Sequence, residues 1–198
     1  MPDAHAAPIE FSVFLHYPLA MDDREHQFFL GKLNETRDVF LNQVRGVSEE
    51  RARWKPGPDR WSILDCAEHV ALVEQRMFDL LTQRMAPCAS AEPIAGTGRE
   101  YAILTKGADR SEKLKAPEPA QPNGRFATLG EAVAAFEERR ARSIAYVGGC
   151  KTDLRALEGL HGGLGRVTAQ EVLSLLTIHP ARHALQIGEI RADPSFPK

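Results

Sequence analysis

The sequence predicts an all-α protein: a bundle of four helices with a long proline-rich connection between the second helix and the third. Three observations lead to this prediction. Four stretches repeat apolar residues at the helical period, and capping residues and helix breakers delimit those stretches. The composition, 43% hydrophobic and 26% charged residues in 198, is that of one globular domain with a proper core. The same composition excludes disordered, collagenous and coiled-coil architectures.

The first two helices are predicted over residues 21–47 and from Ser62 onward. The first stretch carries one apolar stripe among charged residues, as expected for a helix with one buried face. Two prolines and a glycine within residues 54–61 prevent its continuation. Ser62 is a good N-cap for the second helix, and Trp61 is placed to pack onto the apolar positions behind it. The predicted core positions are Phe29, Leu33, Phe40, Val44, Val47, Ile63, Cys66, Val70, Val73, Met77, Leu80 and Leu81.

Residues 86–128 form the predicted connection between the second and third helices, and we call them the crossing. Little periodicity is present, so we expect a mostly irregular path. A connection of this length either lines a site, joins helices that run in the same direction, or wraps the bundle passively. Its helix-breaking residues are Pro87, Pro93, Gly96, Gly98, Gly107, Pro117, Pro119, Pro122 and Gly124.

The third helix is predicted over about residues 129–147, and the glycine pair at 148–149 is expected to end it. A glycine-rich stretch follows. Thr168 and Glu171 then form a capping box that opens the fourth helix, which ends shortly before Pro194. The buried positions predicted for the two helices are Leu129, Val133, Phe136, Ile144, Val147, Val172, Leu175, Leu176, Ile187 and Ile190.

One domain is predicted over residues 21–198, after an N-terminal extension of residues 1–20. The net charge is −2 and the longest Lys/Arg run is Arg139-Arg140, so we expect no nucleic-acid partner. No apolar stretch approaches the roughly 18 residues that span a bilayer, and the N-terminus does not read as a signal peptide. Three cysteines without a Cys-x-x-Cys motif fit a reducing compartment, and we expect a cytoplasmic protein without a membrane partner.

Three histidines occupy positions that should face the interior. His179 and His183 are four residues apart, so both imidazoles project from one face of the fourth helix. His69 lies on the flank of the apolar stripe of the second helix. Three neutral imidazoles with open positions are typical of a catalytic metal site. Zinc is the first expectation, and nickel, iron(II) and manganese also accept imidazole. The alternative is that each histidine is a core residue hydrogen-bonded to a backbone carbonyl.

Residues near the histidines allow further interpretations. Cys66 is one turn before His69, and it could reach the same centre as a fourth ligand, be a redox-sensitive neighbour of it, or serve as a small hydrophobe. Gln186 shares the face of His183 and could orient an imidazole or a substrate, or simply be half-exposed. Glu68 is about 100° around the helix from His69, which suits the solvent face or a supporting contact rather than a general base.

Pro180 falls between His179 and His183, inside the fourth predicted helix. It removes a hydrogen bond to the carbonyl of Leu176 and is expected to kink the helix. It also stands where a zinc-protease helix needs a glutamate, so that class is excluded. The sequence has no phosphate loop, dinucleotide fingerprint or Gly-x-Ser-x-Gly elbow, so nucleotide and serine-hydrolase chemistry have no support.

A set of motifs distributed along the chain carries a family resemblance. They are Trp61-Ser62-Ile63, Glu68-His69, Asp109-Arg110, Lys113, Ala116-Pro117-Glu118, Pro122, Glu131, Phe136, Arg140, His179, His183 and Gln186-Ile187. Over about residues 25–191 this combination resembles the DinB-like superfamily, and the middle part is similar to its second large branch. The resemblance implies an antiparallel bundle in up-down-down-up order, often a homodimer. It also implies that His69, His179 and His183 are metal ligands, with water or substrate completing the shell.

The resemblance also suggests a class of reaction. Characterised relatives include thiol S-transferases that use bacillithiol, mycothiol or glutathione, and a thiol-dependent isomerase. We therefore expect a divalent-metal-dependent enzyme with a small-molecule substrate, either a transferase with a low-molecular-weight thiol as co-substrate or a hydrolase. The alternatives are a metal- or small-molecule-binding stress-response bundle without turnover, and a purely structural bundle.

Overall fold

The computed structural model describes residues 21–88, 99–113 and 115–198. The predicted N-terminal extension, residues 1–20, and part of the crossing, residues 89–98 and 114, lie outside the described residues. In chain order the elements are α1 (Asp23–Val44), α2 (Glu49–Arg53), α3 (Ile63–Gln83), β1 (Ala86–Pro87), α4 (Arg99–Lys106), a 3-10 turn (Glu118–Ala120), α5 (Leu129–Gly149), β2 (Leu157–His161), β3 (Gly165–Thr168) and α6 (Ala169–Arg191).

The four long helices α1, α3, α5 and α6 form the predicted bundle. Helix α6 packs against α1 and α3, and α5 packs against the same two helices. The strand that follows α3 pairs with β2, and β3 leads directly into α6, so α3 ends where α6 begins. His26 in the first turn of α1 lies 2.8 Å from the carbonyl of Cys150, just after α5. Helices α3 and α5 therefore run toward the sheet, while α1 and α6 run away from it. The up-down-down-up order is confirmed.

Local sequence signals place the starts of α3 and α6. The hydroxyl of Ser62 accepts a hydrogen bond from the Asp65 backbone, and the Asp65 carboxylate accepts one from the Ser62 backbone. Thr168 and Glu171 form the same reciprocal pair at the start of α6. Each box satisfies two backbone donors that a helix end otherwise leaves without partners. The boxes fix where α3 and α6 begin. They thereby fix the positions of the histidines along these two antiparallel helices.

The structure also contains elements that the sequence patterns did not predict. The glycine-rich stretch before α6 is a β-hairpin, in which Gly159 pairs with Val167 and Gly165 adopts a φ of 68°. With β1 it makes a three-stranded antiparallel sheet at one end of the bundle. The first predicted helix ends at residue 44, before the short helix α2, whereas α5 continues through the glycine pair at 148–149. The strands are too short and too rich in glycine to show a two-residue period.

Two hydrophobic clusters fill the bundle, one toward each end. The cluster near the sheet includes Leu33, Leu173 and Val167. The cluster at the opposite end includes Phe40 and Phe136, whose rings meet edge to face at 5.0 Å, and Trp61 packs against its margin. Among the described residues, no helix combines the length and the apolar character needed to cross a membrane.

Candidate metal centre

The three predicted histidines converge between α3 and α6. The Nε2 atom of His179 lies 3.1 Å from Nε2 of His69 and 3.1 Å from Nε2 of His183. Within the described part of the chain, these three residues form a cluster whose potential ligand atoms all lie within 4.8 Å of one another. His69 and His183 are buried, with 5% and 6% of their surfaces exposed. His179 is half-buried and is the most exposed of the three.

A backbone carbonyl of the crossing fixes the tautomer of His69. Nδ1 of His69 lies 2.6 Å from the carbonyl oxygen of Ala120, in the 3-10 turn. A carbonyl only accepts hydrogen bonds, so Nδ1 carries the proton and donates it. The Nε2 lone pair of a neutral His69 therefore points at the other two imidazoles.

A side-chain amide fixes the tautomer of His183 in the same way. Nδ1 of His183 lies 3.0 Å from Oε1 of Gln186, one turn further along α6. The guanidinium of Arg110, which only donates, lies 3.1 Å from the same Oε1 atom and thereby identifies it as the oxygen. Nδ1 of His183 donates to that oxygen, and its Nε2 is left as an acceptor. The Gln186 amide is thus hydrogen-bonded to the His183 imidazole.

These tautomers leave more acceptors than protons at the point where the rings meet. Two Nε2 lone pairs face Nε2 of His179, which can supply one proton at most. Hydrogen bonding among the three rings can therefore satisfy only one of the two 3.1 Å contacts. Two imidazole nitrogens that bind one ion at about 2.0–2.1 Å lie about 3 Å apart. The donor set and its spacing fit a divalent cation held by three histidines.

Burial keeps the three rings neutral at neutral pH. It lowers the pKa of His69 to about 4, against the opposing effect of its bond to Ala120. Burial, together with the neighbouring imidazoles, also lowers the pKa values of His179 and His183 well below the usual range for histidine. Metal binding requires a free lone pair, and no proton has to be removed from these rings first.

Trp61 forms a wall beside the cluster. Its ring lies 4.8 Å from the His69 ring and is stacked on the His183 ring at 6.0 Å, with an interplanar angle of 20°. The sequence predicts only that Trp61 packs onto apolar positions. It does contact the apolar cluster, and it also restricts the orientation of two imidazoles.

Glu68 is placed differently from the solvent-facing position that was one of its two predicted settings. It is 1% exposed, and its two carboxylate oxygens accept hydrogen bonds from the backbone N–H groups of Asn123 at 2.8 Å and Gly124 at 3.1 Å. Gly124 has a φ of 81°, a conformation that favours glycine. The crossing covers this side of α3, which helical angles alone could not reveal. Because both oxygens are engaged, Glu68 supports the crossing and is not placed to act as a general base.

Cys66 lies apart from the histidine cluster. Its side chain is fully buried in the hydrophobic cluster away from the sheet, and it does not belong to the group of potential ligands. Burial raises the pKa of the thiol far above its ordinary value. Cys66 packs in this structure among apolar side chains.

Pro180 does not interrupt α6, which is continuous from residue 169 to 191. The Leu176 carbonyl, which Pro180 leaves without its usual helical donor, accepts a hydrogen bond from Nη2 of Arg140 at 3.0 Å. Arg140 reaches it from α5 and is fully buried. A side chain of α5 thus replaces the backbone N–H that Pro180 lacks.

The contributions of the crossing could not be derived from sequence patterns. Arg110 and Ala120 lie in a region without periodicity, and their contacts span 76 and 51 residues along the chain. The described parts of the crossing around Arg110 and Ala120 therefore contribute to the site. Only the family resemblance drew attention to Arg110.

Comparisons with known proteins agree with this architecture. The family model of the DinB superfamily matches residues 32–187. The uncharacterized protein YuaE of Bacillus subtilis (strain 168) is 23% identical over 158 residues, which are 80% of this chain and 94% of YuaE. The solved structure of YfiT from Bacillus subtilis superposes with a TM-score of 0.57 at 14% identity, covering 90% of this chain and 92% of YfiT. YfiT is described as "a probable metal-dependent hydrolase with an unusual four-helix bundle topology".

Proposed function

The chain belongs to the DinB superfamily, and from this premise and its three converging imidazoles we propose that it is a divalent-metal-dependent enzyme acting on a small molecule. His69, His179 and His183 are the proposed ligands. The observation that carries the proposal is the surplus of acceptors: the tautomers of His69 and His183 direct two Nε2 lone pairs toward Nε2 of His179. A buried surplus of acceptors is unfavourable unless a cation or a water molecule supplies the missing partner, and three converging imidazole nitrogens suit a cation.

The proposed chemistry is activation of a small nucleophile. A divalent ion supplies Lewis acidity and lowers the pKa of a water or thiol that it binds. The protein contributes three neutral ligands, fixed hydrogen bonds behind two of them, and the Trp61 ring as an apolar wall. Access is from the half-buried His179 side, where substrate would enter.

Two reaction types use such a nucleophile, and each has its own support. Hydrolysis is supported by the description of YfiT, whose fold this chain shares. Thiol S-transfer is supported by the family resemblance of the sequence motifs. Both proposals need the same centre, and they differ in whether a low-molecular-weight thiol is a co-substrate. Zinc is the proposed metal, and nickel, iron(II) and manganese suit the same ligands.

A two-part assay tests the proposal. Protein loaded with zinc, nickel or manganese is given ester and amide substrates without thiol, and generic electrophiles with bacillithiol, mycothiol or glutathione. His179→Ala serves as the site variant and His161→Ala, a change in β2 outside the cluster, as the matched control. We expect turnover in one part that His179→Ala abolishes and His161→Ala preserves. Stoichiometric metal with no turnover in either part would contradict the enzymatic proposal.

A second candidate is metal binding without turnover, and one observation favours it. Within the described residues no carboxylate or cysteine joins the three histidines, and Glu68 is engaged by two backbone N–H groups. The site therefore offers no evident general base. An ion whose coordination is completed by protein atoms, seen by X-ray absorption spectroscopy, would support this candidate.

We also propose that the protein forms a homodimer, with the family resemblance as the support. Sedimentation velocity at micromolar concentration is expected to give twice the mass of one chain. A monomer across the concentration range would contradict this proposal and would leave the metal centre untouched.

A further inference from the structure

Arg110 connects the crossing to the back of the metal centre. Its Nε and Nη2 atoms donate to the two carboxylate oxygens of Glu189 at 2.7 and 2.9 Å. Its Nη1 atom donates to Oε1 of Gln186 at 3.1 Å, and that oxygen accepts the Nδ1 proton of His183. The side chain of Arg110 is 11% exposed, whereas that of Glu189 is 43% exposed. One guanidinium thus uses three donors on two residues of α6.

We propose that Arg110 is a positioning residue of the metal centre, which acts through the Gln186 amide on His183 and couples the docking of residues 109–112 and 120–124 to metal binding. This inference rests on the proposed metal-binding function. A side-chain amide alone can present either its oxygen or its NH2 group to His183. A guanidinium has donors only, so Arg110 admits only the orientation with the oxygen between them. That orientation keeps the proton of His183 on Nδ1 and leaves Nε2 free.

The coupling follows because the crossing positions two of the three imidazoles. Arg110 acts on His183 through Gln186, and the Ala120 carbonyl accepts the Nδ1 proton of His69. Other contacts hold the same segment in place. The guanidinium of Arg182 donates to the carbonyls of Asp109 and Glu112, and the Glu68 carboxylate binds two backbone N–H groups of the crossing.

Thermodynamic linkage makes this coupling reciprocal. If docking of residues 109–112 and 120–124 raises metal affinity, metal binding must stabilise the docked segment by the same free energy. A purely structural clamp between Arg110 and Glu189 would behave differently. Its loss would lower the stability of the metal-free protein without changing the affinity of the folded protein for metal.

Zinc competition with a chromophoric chelator separates the two roles. The variants are Arg110→Met, Gln186→Leu and their combination, with Arg166→Met as the control. Arg166 likewise makes a two-pronged ion pair, with Glu158, but it lies in the sheet. Residues that support metal ligands typically contribute 10–100-fold to affinity. We expect about tenfold weaker zinc binding for each single variant and no change for Arg166→Met.

The double variant and one conservative variant test whether Arg110 acts on His183 through Gln186. Because Arg110 acts through Gln186, Arg110→Met is expected to add little to the loss caused by Gln186→Leu. Gln186→Glu should keep zinc affinity within about threefold of the wild type or tighten it, since a carboxylate accepts from both His183 and Arg110. Additive losses, or an Arg110→Met affinity within threefold of the wild type, would overturn the inference.

Hydrogen exchange tests the reciprocal effect in the intact protein. Zinc is expected to slow amide exchange in residues 109–112 and 120–124 of the wild type, and Arg110→Met should lose this effect at 109–112. Equal protection in both proteins would overturn the coupling. If the wild type binds no zinc, both this inference and the proposed function fail. Tight zinc binding that is unaffected by Arg110→Met removes this inference alone.

Discussion

Two buried polar clusters connect α3 to its neighbours, and their contents differ. The histidine cluster joins α3 to α6. The other, which we call the ion-pair cluster, consists of Arg140, Glu74 and Ser143 and joins α3 to α5. Arg140 and Glu74 are 0% and 2% exposed and lie 2.8 Å apart. The hydroxyl of Ser143 donates to the other Glu74 oxygen at 2.7 Å.

The ion-pair cluster contains its own counter-charges, whereas the histidine cluster does not. Around Glu74 donors face acceptors, and the guanidinium also lies over the Phe136 ring at 5.4 Å. Nε and Nη1 of Arg140 have no hydrogen-bond partner among the described residues, but the formal charges of the pair cancel. In the histidine cluster two Nε2 acceptors face the His179 ring, which can supply one proton at most. Buried polar groups that pair with one another need no further partner, whereas buried acceptors that lack a donor call for one, such as a bound ion.

The largest stability effect is expected from breaking the ion-pair cluster. Arg140→Met leaves the Glu74 carboxylate buried without its counter-ion, which typically costs about 3–5 kcal/mol. Chemical denaturation measures the loss. The combination Arg140→Met with Glu74→Leu is expected to recover most of it, since no isolated charge is then buried. Unchanged stability for Arg140→Met would show that this cluster does not have the structural role assigned to it.

The histidine cluster should instead make the metal-free protein sensitive to acid. The pKa of His69 is about 4 in the folded protein, whereas the ordinary value is 6.5. Between these two pH values His69 is protonated in the unfolded chain and neutral in the folded chain. Stability therefore falls as the pH drops from about 6.5 toward 4, by about 1.4 kcal/mol per pH unit for each such histidine.

Urea denaturation in chelator at several pH values checks this effect. His69→Gln should flatten the pH dependence by about the contribution of one histidine. His26→Gln, in α1 outside the cluster, serves as a control for the loss of a histidine elsewhere. Equal slopes for the wild type and His69→Gln would mean that His69 is not held neutral by the fold.

The smallest effect concerns Pro180, which lies in α6 between His179 and His183. Pro180→Ala adds a backbone N–H that can bond to the Leu176 carbonyl, which Arg140 alone now satisfies. Arg140→Met is therefore expected to cost about 1 kcal/mol less in the Pro180→Ala background. A double-mutant cycle measures the difference. Strict additivity would show that the bond between Arg140 and the Leu176 carbonyl contributes nothing to stability.

The features that could be predicted from the sequence depend on residues close together along the chain. The spacing of His179 and His183 and the capping boxes at Ser62 and Thr168 depend on residues within one or two helical turns. They are present in the structure as predicted. The helical period also placed His69 inward.

What could not be predicted depended on distant parts of the chain. Glu68 is buried because the crossing covers it, and Arg110 and Ala120 reach the histidines only after the bundle has folded. The β-hairpin before α6 is short and glycine-rich, so its strands are defined by pairing rather than by their own residues.

Metal content is the most direct test of the difference between the two clusters. Protein purified without a metal-affinity tag is measured by elemental mass spectrometry for the wild type, His183→Ala and His161→Ala. The account predicts near-stoichiometric divalent metal in the wild type and in His161→Ala, and its loss in His183→Ala. No metal in the wild type after incubation with zinc, nickel and manganese, or equal metal in His183→Ala, would contradict it.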